Sequence, residues 1–171
     1  MNRLWAVLVA SMAVVGIVAA GFVAVADDDD DEEREFRAKL SGYEETPAVF
    51  TTGKGRFRAT LSADGTTLSY TLSYSGLEGT TTLFAHIHFG QEDVAGGVAA
   101  FLCGGGGKPT CPNTAGSVSG GIVAADVIGP TGQGIAAGEF GELLTAMRDG
   151  MTYANVHTNK HPGGEIRGQI D

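Results

Sequence analysis

Residues 56–74 read RFRATLSADGTTLSYTLSY, and their alternation decides the fold class. Successive side chains of a strand point to opposite faces, so Phe57, Ala59 and Leu61 share one face, and Leu68, Tyr70, Leu72 and Tyr74 share another. Between them, Ser62-Ala63-Asp64-Gly65-Thr66 is a turn sequence, and the stretch predicts an antiparallel hairpin. Working outward, residues 36–40 alternate apolar and charged side chains as an edge strand would. Residues 80–89 place Leu83, Ala85, Ile87 and Phe89 on one face, and short apolar runs follow at 98–102 and 118–128. Residues 139–149, EFGELLTAMRD, break the pattern: Phe140, Leu143, Leu144 and Met147 recur at helical spacing, and Gly150 is placed to end the segment. This helix is expected to cross an end of the sheets. Residues 151–157 and 165–170 return to a period of two. About eight strands with one short helix imply a mostly β domain, a Greek-key β-sandwich or a flattened barrel.

The chain ahead of this domain is of a different kind. Met1-Asn2-Arg3 carries positive charge, residues 4–26 carry none, and the run ends in Ala24-Val25-Ala26. A basic start, an apolar stretch and a small-x-small end describe a signal peptide cut after Ala26. The same stretch is long enough to remain as an uncleaved anchor, which would be the chain's one link to a membrane. Either way the protein is expected to be exported: secreted, periplasmic or held at the cell surface. Residues 27–35, DDDDDEERE, hold eight of the twenty acids and read as a solvated, disordered spacer. The domain proper, residues 36–171, is therefore only mildly acidic despite a net charge of −9 for the chain. Its basic residues are scattered along the sequence, which argues against a nucleic-acid partner.

Cys103 and Cys111 are the two cysteines of the chain, and they bracket GGGGKPT. In an exported protein an isolated pair at this spacing is expected to form a structural disulfide. That takes both sulfurs away from any metal site. Nucleophilic catalysis finds no support: there is no free cysteine to spare, no G-x-S-x-G and no convincing acid–base pair. Residues 104–107 are glycine-rich but lack the Lys-Ser/Thr ending of a phosphate loop.

The four histidines fall in two short stretches, His86 and His88 in AHIH, His157 and His161 in NVHTNKH. Residues i and i+2 of a strand share a face about 6.5–7 Å apart, so two imidazoles there can converge on one ion. If the last strands lie beside residues 80–89, His157 supplies a third ligand, with His161 the outermost candidate for a fourth. Imidazole without thiolate suits Cu(II) or Zn(II). The competing reading makes these histidines ordinary sheet residues, wet or hydrogen-bonded. Tyr153 and Asn155 share the face of His157 and are candidates to hold its ring. Glu165 and Arg167 share a face and form a candidate structural pair across strands.

The stretches FRAKLSGYEETPAV at 36–49, LSYSGLEG at 72–79, AHIHFG at 85–90, and YANVHT and HPGGEIRGQ within 153–169 together resemble the CHRD domain. That module is named for its repeats in the morphogen inhibitor chordin and also occurs in microbial exported proteins. The resemblance covers essentially the whole domain in order. It implies an extracellular β module whose partner would be an extracellular ligand or protein, without an agreed biochemical activity. A more local resemblance, His86-Ile87-His88-Phe89-Gly90 preceded by Ser75-Gly76-Leu77, is to the copper–zinc superoxide dismutases. It implies a Greek-key barrel with copper ligands at His86 and His88. Those enzymes use six histidines and an aspartate for two metals, whereas this chain has four histidines in all.

Overall fold

The computed structural model describes residues 34–171. The leader and residues 27–33 of the acidic stretch lie outside the described residues. Arg34 and Glu35 belong to the folded domain: Glu35 opens the first strand, and the Arg34 guanidinium donates to Leu61 O at 2.8 and 3.1 Å.

The hairpin expected over residues 56–74 is present. Strand β1 (Glu35–Ser41) is followed by β2 (Lys54–Leu61) and β3 (Leu68–Ser75), with Phe57 opposite Leu72 and Ala59 opposite Tyr70. In the turn, Asp64 Oδ1 accepts from the Ser62 hydroxyl and from the Thr66 amide and hydroxyl, and Gly65 takes a φ of 70°. Then come β4 (Thr82–Phe89), β5 (Gly97–Cys103), β6 (Gly116–Ile122), the helix α1 (Phe140–Arg148), β7 (Thr152–Thr158) and β8 (Ile166–Gln169). All pairings are antiparallel, and the eight strands form one sheet in the order β5-β4-β7-β8-β1-β2-β3-β6. The expected fold class holds, in its barrel form: the sheet curls until it is nearly closed, with β5 and β6 near each other. Strands β4, β5 and β6 follow one another around the barrel, and β7 returns to lie beside β4, which is a Greek key.

One expectation is corrected. The strand at 36–40 is not an edge: β1 lies between β8 and β2. Its outward Arg37 and Lys39 alternate with buried Phe36, Ala38 and Leu40, so it is amphipathic because one face lines the core, not because it is an edge.

The barrel closes without a β5–β6 ladder. Tyr70, buried in the core, donates its hydroxyl to Leu102 O of β5 at 2.6 Å. Gly120 opposite Tyr70 makes room, since a Cβ there would lie 2.6 Å from that oxygen. The Cys103–Cys111 disulfide ties the end of β5 to the loop leading to β6, as the spacing predicted. Within that loop Lys108 donates to Gly121 O of β6 at 2.6 Å and pairs with Asp126 at 2.9 Å. Leu143 and Met147 of α1 join the strand residues in one continuous core, and Gly150, at φ 66°, ends the helix as expected.

Candidate metal centre

Strand β4 is buried on both faces. Ala85 and Ile87 point into the barrel core, while His86 and His88 occupy the opposite face and are only 5% and 8% exposed. The wet-histidine reading is thereby removed. The β4–β5 pairing shifts register between Ala85 and His86 and again between Ile87 and His88. Such irregularities re-aim side chains, and here one precedes each histidine. On the other side β7 pairs with β4, placing Asn155 opposite His86 and His157 opposite Phe84. His157 therefore sits diagonally across from His86, within reach along the same face.

One ring nitrogen from each of His86, His88 and His157 lies within 4.8 Å of the other two, close enough that the three could hold one ion. His86 Nδ1 and His157 Nε2 are 3.3 Å apart. Two nitrogens bound at 2.0–2.1 Å to one tetrahedral ion stand about 3.3–3.4 Å apart, so this pair already has the separation a shared ion requires. Two of the other ring nitrogens are held by backbone carbonyls. His88 Nδ1 lies 3.0 Å from Gly96 O, and His157 Nδ1 lies 3.1 Å from Pro162 O. A carbonyl can only accept, so each ring donates from Nδ1 and carries its lone pair on Nε2; that of His157 accepts from His86 Nδ1, and holding Nδ1 on a carbonyl is the usual outer-sphere arrangement of metal-binding histidine. His88 Nε2 is buried without a hydrogen-bond partner. Gly96 is fixed in this role by close packing: a Cβ there would lie 1.8 Å from Phe89 O.

Aromatic rings wall the cluster. Phe101 meets His86 edge-on at 4.4 Å, Phe84 lies 4.9 Å from His86 and 4.8 Å from His157, and Tyr153 stacks on His88 at 4.7 Å. This apolar surround sets the electrostatics. Burial, then the neighbouring His157 and His88, push the His86 pKa down to about 3. Burial pushes His88 down to about 4, with His157 and Arg167 adding to the effect and the Gly96 hydrogen bond opposing it. His157 is lowered by burial against the opposing bond to Pro162. All three rings are thus neutral at pH 7, the form that binds a metal.

The remaining sequence candidates sit differently. His161 is outside the three-histidine group; it lies in the turn after β7, half-buried, where its carbonyl accepts from Thr158 and Gly164 amides. Tyr153 and Asn155 do not hold the His157 ring. The Tyr153 hydroxyl accepts from the Gly96 amide at 3.0 Å, while Asn155 Nδ2 donates to Glu45 at 2.6 Å and to Ile166 O. Glu165 and Arg167 find separate partners rather than each other. The Glu165 carboxylate, fully buried, accepts from the Thr51 and Thr158 hydroxyls and the Glu78 amide. Burial pushes its pKa up, but these bonds outweigh it and hold the group below its ordinary value. The Arg167 guanidinium lies 3.5 Å over the Tyr153 ring and donates to Gln91 O and Thr46. Glu45, which the sequence did not single out, is pushed up to about 7 by burial, against the Asn155 hydrogen bond and the Arg167 charge.

Fold and site together define a Greek-key barrel module with a buried layer of three histidines on its outer wall. The CHRD domain model matches residues 36–170, and the chain belongs to the CHRD domain family. No curated protein and no solved structure gives a significant match. An extracellular setting is typical of CHRD domains, and the disulfide is consistent with it.

Proposed function

We propose that this protein is an exported CHRD module that binds one transition-metal ion, Cu(II) or Zn(II), through His86, His88 and His157. The observation that carries the reading is His88: its Nδ1 is engaged by a backbone carbonyl and its Nε2 is buried, partnerless and grouped with two other imidazoles. A buried nitrogen without a partner is costly, and an ion shared with His86 and His157 would satisfy it. The set of ligands is wholly imidazole, since both sulfurs are in the disulfide, and imidazole suits copper and zinc. Export rests on the apolar leader and on the disulfide.

The test is calorimetric titration of the oxidised chain with Cu(II) and with Zn(II) at neutral pH. The reading expects one equivalent bound more tightly than about 1 μM, a free energy of roughly −8 kcal/mol. His86→Ala with His88→Ala abolishes it, and His161→Ala leaves the stoichiometry unchanged. Absence of stoichiometric binding would reduce the module to a structural or protein-interaction role in which the histidines only pack.

A further inference from the structure

The sequence scatters its basic residues, but the fold gathers five of the eleven on one face. Arg37 and Lys39 of β1 and Lys54, Arg56 and Arg58 of β2 all project outward and are exposed. The register sets Arg37 directly opposite Arg58 and Lys39 directly opposite Arg56. Like charges so placed, about 4.5–5.5 Å apart at Cβ, destabilise a sheet, so the fold gains nothing from them. Among the described residues, no carboxylate comes within ion-pair distance of Lys39, Lys54, Arg56 or Arg58. Four of the five line a surface depression of about 510 Å³ together with Glu44, Gln169 and Asp171. The loop that joins the two strands, and contributes Glu44, also presents apolar surface. Tyr43 and Phe50 are 68% and 83% exposed, and their rings meet edge-on 6.5 Å apart. This loop is held in shape. The Val49 amide donates to Gly42 O at 2.7 Å, the Thr51 hydroxyl donates to Glu165 at 2.8 Å, and a Cβ on Gly42 would lie 2.3 Å from Val49 O. Two aromatic rings are thus offered to solvent on a fixed support, beside the cations.

We propose that this face binds a linear acidic polysaccharide, a chain whose sugar rings carry carboxylate or sulfate groups. Charge complementarity is the first ground. Arg37, Lys39, Arg56 and Arg58 form a grid of about 5 Å by 7 Å, and Lys54 extends the β2 row to about 13 Å. That is a strip rather than a point, and it matches a chain with recurring anions. Arginine forks suit planar or branched oxyanions through paired bonds. The mixed lining of the depression is the second ground. Glu44 and Asp171 repel a ligand made of anions alone but accept hydrogen bonds from donors. A sugar chain brings hydroxyl donors beside its anions, whereas the backbone of DNA is anionic without hydroxyl donors. Tyr43 and Phe50 are the third ground, since the C–H faces of sugar rings pack on aromatic rings. A bilayer surface is flat and meets a depression poorly. This inference is independent of the histidine centre, which lies on the wall formed by β4 and β7.

The experiment is calorimetric titration of the metal-free full chain, in a neutral detergent, with polygalacturonate, dextran sulfate and uncharged dextran at about 0.05 M salt. At least one acidic polymer is expected to bind and dextran is not, with affinity falling steeply as salt rises to about 0.2 M. Which acidic polymer binds more tightly tells carboxylate from sulfate recognition. Arg56→Gln with Arg58→Gln should weaken binding about tenfold and reduce its salt dependence. Lys160→Gln, whose lysine pairs with Glu78 away from this face, should leave it unchanged. Tyr43→Ala with Phe50→Ala should weaken binding about tenfold with the salt dependence intact, because ring packing carries no charge. Thermal unfolding of the double-arginine variant should be unchanged or shifted upward, since opposed like charges are removed. A downward shift would assign these arginines to the fold and overturn the proposal. Failure of both acidic polymers to bind, or an equal loss in Lys160→Gln, would overturn it too. So would displacement of the polysaccharide, at lower charge concentration, by oligothymidylate or by phosphatidylglycerol added to the micelles, outcomes that assign the face to nucleic acid or to a membrane.

Discussion

Acidifying the domain from about pH 6.5 to about pH 5 should protonate His86 and His88 in the unfolded chain while leaving them neutral in the folded one. Their folded pKa values are pushed from 6.5 to about 3 and about 4. The unfolded state then binds protons that the folded state excludes, so stability rises with pH. The contribution is present above the unfolded value of 6.5 and is lost as pH falls toward the folded values. Over this interval each histidine removes about 1.5 kcal/mol of stability, and His157, also lowered by burial, acts in the same direction. Glu45 works the other way. Its folded pKa is raised from 4.5 to about 7, so it takes up its proton earlier in the folded state and returns about 1.5 kcal/mol on acidification. The assay is urea unfolding of the oxidised, metal-free domain across this range. Wild-type protein should lose at least 1–2 kcal/mol, and Glu45→Gln about twice that, because its opposing group is gone. Replacing His86 and His88 by Gln should flatten the dependence. A Glu45→Gln protein equally stable at both pH values would refute the account of three buried, neutral imidazoles.

Four further outcomes follow from the packing. Replacing Cys103 and Cys111 by Ala should cost about 2–3 kcal/mol in urea unfolding, from the entropy of a loop with a sequence separation of 8. Tyr70→Phe should cost about 1–2 kcal/mol by leaving Leu102 O without its donor. Gly120→Ala should cost less in the Tyr70→Phe background than in wild type, because the shortest contact of the new Cβ, 2.6 Å, is with the hydroxyl, although the ring carbon at 2.9 Å stays; a double-mutant cycle reads that coupling. Glu165→Gln should cost about 2–4 kcal/mol, since its oxygens accept from Thr51, Thr158 and the Glu78 amide and an amide group cannot accept at both atoms; thermal unfolding measures it.

Period-two alternation made the β2–β3 hairpin legible, and the 3.6-residue spacing with Gly150 made α1 legible, because both are local patterns. The histidine grouping was legible for a related reason: His86 and His88 share a face by spacing alone, and His157 required only that β7 lie beside β4. What local pattern could not show was strand order. It reads 36–40 as an edge because an amphipathic strand looks alike at the edge or inside a barrel wall. The same blindness hid the basic face, which exists only once β1 and β2 are in register. Partners far apart in sequence were beyond reach as well. Glu45 meets Asn155 across 110 positions, and Glu165 meets Thr51 across 114, so Glu165 and Arg167 looked like a pair when each had a distant partner instead. The supports of the histidines, Gly96 O and Pro162 O, are backbone atoms, and a sequence motif names side chains.

The most direct test of the metal centre is electron paramagnetic resonance of the protein loaded with one equivalent of Cu(II). The account predicts a single copper species whose nitrogen couplings come from three imidazoles, with one coupling lost in each of His86→Gln, His88→Gln and His157→Gln. A copper spectrum that none of these substitutions changes would contradict it.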